Sequence, residues 1–126
     1  MTAKSIVDIA LDIIAERDGD GSRPVDIDYF NSRAVAYVNI TLAEAAPVNS
    51  MLMGREIDFE PVSELTDEVA CDPQVAYTAL PYNLAALYML AENDSRYTLF
   101  RALYENALLR AARVRRSVIR SITDVY

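Results

Sequence analysis

From residue 84 to residue 91 the chain is apolar without interruption, Asn93-Asp94 breaks it, and a second segment then repeats apolar residues at three- and four-residue spacing. A helix apolar nearly all round has to be buried. A connection this short makes its successor an antiparallel neighbour. The expectation is therefore a helical hairpin over 73–92 and 95–116, with its first arm at the centre of a small bundle. Pro73 suits a helix start. Pro81, inside the first arm, should kink it or split it into 74–79 and 81–92. In the second arm Tyr97, Phe100, Tyr104, Ala107, Leu108 and Ala111 form the inward stripe, reinforced by Leu103. Asp94 or Ser95 would cap it, and Arg110, Arg113 and Arg116 suit its negative pole.

Two more helices complete the core. The first covers about 3–17, with Ile6, Ile9, Ala10, Ile13 and Ile14 on one stripe and Thr2 or Ser5 as cap. Asp8, Asp12 and Glu16 share its opposite face, either as a solvated surface or as a docking strip for a basic partner. The Asp18-Gly-Asp-Gly-Ser22 turn superficially matches the start of a calcium loop. Its twelfth position is Tyr29, where an EF-hand needs a bidentate acid, and calcium is rejected on that ground. The second helix begins at Asp26 or Asp28 and ends near Ala46, with Phe30, Ala34, Val38, Leu42 and Ala45 inward and Pro47 opposing its continuation. Residues 47–72 carry seven acids from Glu56 onward and lack a clear period, which predicts an irregular or short-β insertion. Beyond 116, β-branched residues alternate with polar ones. That pattern is strand-like, and it predicts an extended arm at 117–126 needing a neighbour's sheet edge. The fold class is thus all-α: about four helices, an insertion at 47–72 and an extended C-terminal arm. Residues 1–116 form the helical domain and 117–126 the arm.

Composition narrows the chemistry. The 126 residues contain no histidine and one cysteine. The usual general base and commonest metal ligand are absent, and Cys71 has no intramolecular disulfide partner. Lys4 is the only lysine, far in sequence from Cys71. No glycine-rich phosphate loop occurs. An enzyme is not expected, and no cofactor or metal site is indicated. The run 6–14 is interrupted by Asp8 and Asp12, which is wrong for a signal peptide. The apolar run 84–91 is too short to cross a bilayer.

Charge is unevenly placed. Net charge is −7, but residues 1–109 hold 7 Lys/Arg against 18 Asp/Glu, whereas residues 110–126 hold 5 arginines and one acid. An acidic body would repel nucleic acid while its basic end is drawn to acidic surfaces, including another copy of the body. The candidate interface residues are Arg113, Arg115, Arg116, Ile119, Arg120, Ile122, Val125 and Tyr126. A small DNA-binding regulator using the same arginines is the alternative, although a pI near 4.5 runs against a dedicated DNA binder.

Several segments resemble one family. The run Ala79-Leu-Pro-Tyr-Asn-Leu-Ala-Ala-Leu87, then Asp94, then Phe100, Leu103-Tyr104-Glu105 and Ala107, is similar to the helical hairpin of the head–tail connector (head completion, or adaptor) proteins of tailed bacteriophages. The opening helix, the Asp-rich turn, Leu42-Ala-Glu44 and the closing Ile122-Thr-Asp-Val-Tyr126 resemble the same family. The resemblance implies a structural virion protein of the neck, made in the host bacterial cytoplasm. It would form an oligomeric ring, commonly of twelve subunits, beneath the portal. That ring would extend the channel for packaged double-stranded DNA, help retain the genome and present a platform for tail proteins. It implies that the arm contacts a neighbouring subunit or the portal protein. Another neck or tail-completion subunit is the nearest alternative within the virion.

Overall fold

The computed structural model describes residues 1–14, 27–56, 59–90 and 92–124. Among them five helices follow in order: α1 (Ala3–Ile14), α2 (Ile27–Met53), α3 (Pro73–Thr78), α4 (Leu80–Met89) and α5 (Asp94–Asp124). The fold is a small all-α bundle. The Asp-rich turn and residues 15–17 of the expected first helix lie outside the described residues.

The apolar hairpin arm is the centre, as its composition required. α4 packs against each of the other four helices, most extensively against α5. Leu80, Leu84, Ala85, Ala86, Tyr88 and Met89 are buried. The two alanines let neighbouring helices approach closely where bulkier side chains would hold them apart. Pro81 has its expected effect in the stronger form. It supplies no N–H to Tyr77, so one helix becomes two, broken at Ala79. α3 starts cleanly because Pro73 occupies its first turn and Asp72 accepts the Gln74 N–H at 2.9 Å. At the hairpin bend Asn93, rather than Asp94 or Ser95, caps α5 by accepting the Arg96 N–H at 3.0 Å. The Arg96 guanidinium then reaches Ile14 O at 2.8 Å and fastens the end of α1 to the hairpin.

α1 is rotated from its expected face. Ala3, Ile6, Val7, Ala10, Leu11 and Ile14 are buried, while Ile9 and Ile13 are only half-buried. The helix is apolar on two overlapping stripes, and neighbours rather than spacing choose between them. Thr2 caps it, accepting the Ser5 N–H at 3.2 Å. Lys4 pairs with Asp8 at 2.9 Å, so part of the acidic row is answered within the helix. Glu16 lies outside the described residues.

α2 runs through Pro47 and does not end near Ala46. Ala34, Val38, Leu42 and Ala45 are buried as expected, while the Phe30 side chain lies outside the described residues. Ala43 and Pro47 both sit on the exposed side. Water there can donate to the Ala43 carbonyl that the proline leaves without its helical N–H. On the inner side Val48 and Leu52 pack against the core. Gly54 (φ 71°) ends the helix, with Gly54 N–H bonded to Met51 O and Arg55 N–H to Ser50 O. This is a Schellman closure that favours glycine at that position.

The stretch expected as an irregular or short-β insertion therefore divides. Residues 47–53 are helical, and the described residues from 54 to 72 form an irregular strap with a single antiparallel bridge, Thr2 to Glu68. Two asparagines on α2 hold the strap. Asn39 imitates a peptide group, donating to Val62 O at 3.0 Å and accepting Val62 N–H at 2.8 Å. The buried Asn49 bonds Ala70 O and Asp72 N–H in the same way. Ala3 N–H and Lys4 N–H bind Asp67 O and Leu65 O at 2.9 and 2.7 Å. The Asp67 carboxylate takes the Ser63 and Glu64 N–H groups, which hold its pKa below the usual aspartate range.

The expected extended arm is corrected. α5 is continuous as far as Asp124, across the boundary drawn at 116. A helix already nucleated gains one backbone bond per added residue, and arginine is a good helix former. With no sheet edge among the described residues, helix is the way to satisfy this backbone. Val125 lies outside the described residues, as does Tyr126.

Candidate partner interface

Three helices enclose a cleft of about 460 Å³ on one side of the bundle. α3 contributes Gln74, Tyr77 and Thr78, α4 contributes Tyr82, and α5 contributes Leu103, Asn106, Ala107, Arg110 and Ala111. It continues along α5 into a shallower depression bounded by Asn106, Leu109, Arg110 and Arg113. The residues lining the two depressions include two arginines and no carboxylate, in a chain that carries 19 acids. Tyr77 is 61% exposed, and Leu103 and Leu109 are also exposed. The surface is thus apolar and aromatic at one end and cationic at the other.

A second, more apolar hollow of about 360 Å³ lies between α2 and α5, lined by Val48, Glu105, Leu108, Leu109 and Ala112. The α2 turn that contributes Val48 exists because α2 continues past Pro47.

A polar cluster fixes α5 to its neighbours. Arg101 donates to Asn83 Oδ1 at 2.8 Å and to Glu44 Oε2 at 2.9 Å, pairs through its other terminal nitrogen with Glu44 Oε1, and reaches Glu105 at 3.2 Å. The buried Asn83 donates onward to Thr41 Oγ1 at 2.8 Å, and Thr41 to Tyr37 O at 2.8 Å. One guanidinium thereby joins α2, α4 and α5. Its pKa is raised chiefly by the Glu44 hydrogen bond. The guanidinium also lies 5.1 Å from the centre of the Tyr104 ring, within cation–π range. These groups are paired to one another, an arrangement that positions helices. The sequence marks Asn83 only as part of the 79–87 segment and gives no sign of its hydrogen-bonding role. A lone asparagine within an otherwise apolar helix was the available signal.

Cys71 is half-buried, its pKa pushed up to about 12 by burial and then by Asp72. A thiol so placed is protonated and poorly nucleophilic at neutral pH. Burial likewise raises the pKa values of Tyr88 and Tyr104. Among the described residues no group of three or more potential ligands could hold a metal ion, and no helix is long and apolar enough to cross a membrane.

Of the residues expected at an interface, Arg113 is exposed and lines the cationic end of the cleft. Positions 115, 116, 119, 120 and 122 lie on helical backbone. The side chains of Arg115, Arg116, Ile119, Arg120 and Ile122 lie outside the described residues, as do Val125 and Tyr126. Leu103, expected inward, is 37% exposed and forms a cleft wall with Tyr77, which sequence reasoning missed. Compared with known proteins, the chain matches no family model, no curated protein and no solved structure.

Proposed function

We propose that this protein is a structural assembly subunit, and that its assembly is the head–tail junction of a tailed bacteriophage. In that role it forms an oligomeric ring beneath the portal protein, extends the channel through which double-stranded DNA passes, helps retain packaged DNA and offers tail or neck proteins a platform. Its place is the virion neck. The observation that carries the reading is the continuation of α5 to Asp124, 13 residues past its last described buried side chain, Ala111. At about 1.5 Å per residue that is roughly 20 Å of helix. It bears Arg113, Arg115, Arg116 and Arg120, while the body before residue 110 has a balance of −11. A basic helical arm on an acidic body is suited to docking on another acidic surface. The resemblance of the hairpin and terminal segments to connector proteins supplies the particular assembly.

The test is deletion of residues 114–126, which spares Ala111 and every described core residue before it. The shortened protein should keep its helical circular dichroism yet fail to enter particles or to complete their necks. Normal incorporation of a folded, shortened protein overturns the reading. Salt-dependent binding of the full chain to duplex DNA in the absence of any particle association would favour the regulator instead.

A further inference from the structure

The arginine-lipped cleft between α3, α4 and α5 has a complement elsewhere on the same molecule. Phe59 is 42% exposed on the acidic strap. Glu60 adjoins it in sequence, Glu64 and Glu68 follow, and all three are exposed. Phe59 is absent from the cleft's lining. The chain thus displays an aromatic side chain beside carboxylates in one place, and an aromatic cleft ending in Arg110 and Arg113 in another. Both leave large apolar side chains in water, which a partner would cover. The charges are opposite in sign, so the two patches attract where two stretches of acidic surface would repel.

We infer that the cleft is the receptor for a second copy of this chain, which inserts Phe59 between Tyr77, Tyr82 and Leu103 and sets Glu60 and Glu64 against Arg110 and Arg113. The two surfaces are different patches, so the contact is heterologous. Each copy gives one strap and receives another, and such a contact closes into a ring when the rotation permits. The inference deepens the proposed assembly role and rests on its self-association, but it does not involve the residues beyond 113.

Two full-length variants test it: Arg110→Glu with Arg113→Glu, and Glu60→Arg with Glu64→Arg. All four positions are exposed, and an unchanged circular dichroism melt establishes folding of each. Sedimentation velocity should show concentration-dependent association of the wild type, weakened at least tenfold in either variant alone. An equimolar mixture should regain association, because each junction again pairs arginine with glutamate. Phe59→Ser should weaken self-association, and because its cleft is intact it should still accept the strap of the Arg110→Glu, Arg113→Glu variant when the two are mixed. As a second measure, Phe59→Cys mixed with Tyr77→Cys should give a disulfide-linked dimer on mild oxidation, and neither should do so alone. A wild type that stays monomeric to millimolar concentration, or folded variants that associate like wild type, overturns the inference. So does a mixture that fails to recover. Loss of duplex-DNA binding in the arginine variant with self-association intact also overturns it, and makes the cleft's cationic end a nucleic-acid contact. The deletion at 114–126 separates the two proposals. Particle entry without the arm, together with recovery in the charge-swapped mixture, removes the arm's role and leaves this interface standing.

Discussion

Removing a single oxygen from the core should make this protein more stable. Tyr104 is 1% exposed, and among the described residues its hydroxyl has no hydrogen-bond partner. A buried donor left unpaired costs about 1–3 kcal/mol relative to its hydrated state. Tyr104→Phe abolishes that cost while keeping the ring under the Arg101 guanidinium and against the α4 face. The deletion leaves a gap of roughly 10–15 Å³, which at about 24 cal/mol per Å³ costs only about 0.3 kcal/mol. The balance is a gain of about 1–2 kcal/mol. For a domain of this size that corresponds to a rise of roughly 3–8 °C in Tm. Urea denaturation followed by far-UV circular dichroism at pH 7 gives the free energy directly, with the slope checked for constancy. The usual outcome of deleting a satisfied tyrosine hydroxyl is a loss of about 1 kcal/mol. A loss of that size would show the hydroxyl to be hydrogen-bonded in solution and would refute the reasoning.

Two further outcomes follow from the same contacts. Asn49→Ala removes both strap bonds at Ala70 and Asp72 and leaves those groups without their partner; it should cost about 2–3 kcal/mol and speed amide exchange selectively over 69–72, whereas uniform exchange across the chain would show that the strap is held elsewhere. Stability should fall on the alkaline side: the Cys71 thiol ionises near 9 when unfolded but near 12 in the fold, so its contribution is complete below about pH 8 and is lost as pH rises between those values. Tyr88 and Tyr104 are raised in the same direction. Urea midpoints measured between pH 7 and 10.5 should therefore decline, and Cys71→Ser should flatten part of that decline.

The hairpin was legible because its two signals agree. An unbroken apolar run demands burial, and Asn93-Asp94 leaves no room for another topology. The break at Pro81 was legible for an equally local reason, a missing N–H. Three features were not, and each is decided away from its own sequence. α1 could face inward by either stripe, since Ile9 and Ile13 are as apolar as Val7 and Leu11; the surroundings of α4 make the choice. α2 crosses Pro47 because the lost bond faces water while Asn49, two residues later, has a buried task. Asn39 and Asn49 read as ordinary polar positions on a helix, yet each stands in for a peptide group to backbone more than twenty residues away. The cleft was hidden for the same reason. Tyr77 and Leu103 belong to separate helices, and only packing shows that both remain at the surface.

The terminal arginine segment carries the most instructive difference. Its alternation of β-branched and polar residues also satisfies a helical period: positions 111, 114, 118 and 122 hold Ala, Val, Val and Ile, at spacings of three, four and four. In sequence, that row keeps the spacing of the stripe begun by Phe100, Tyr104 and Ala107. Positions 113, 116 and 120 form a separate arginine row at spacings of three and four. An extended arm would need an open sheet edge on its partner. A helical arm needs instead a groove with an apolar floor and acidic margins, reading its anchors every three or four residues. Under the proposed assembly role, a helical arm calls for a neighbour that offers side-chain packing in place of one that offers backbone hydrogen bonds. Assembly through such an arm would be sensitive to a proline at 118 and tolerant of changes that keep both rows.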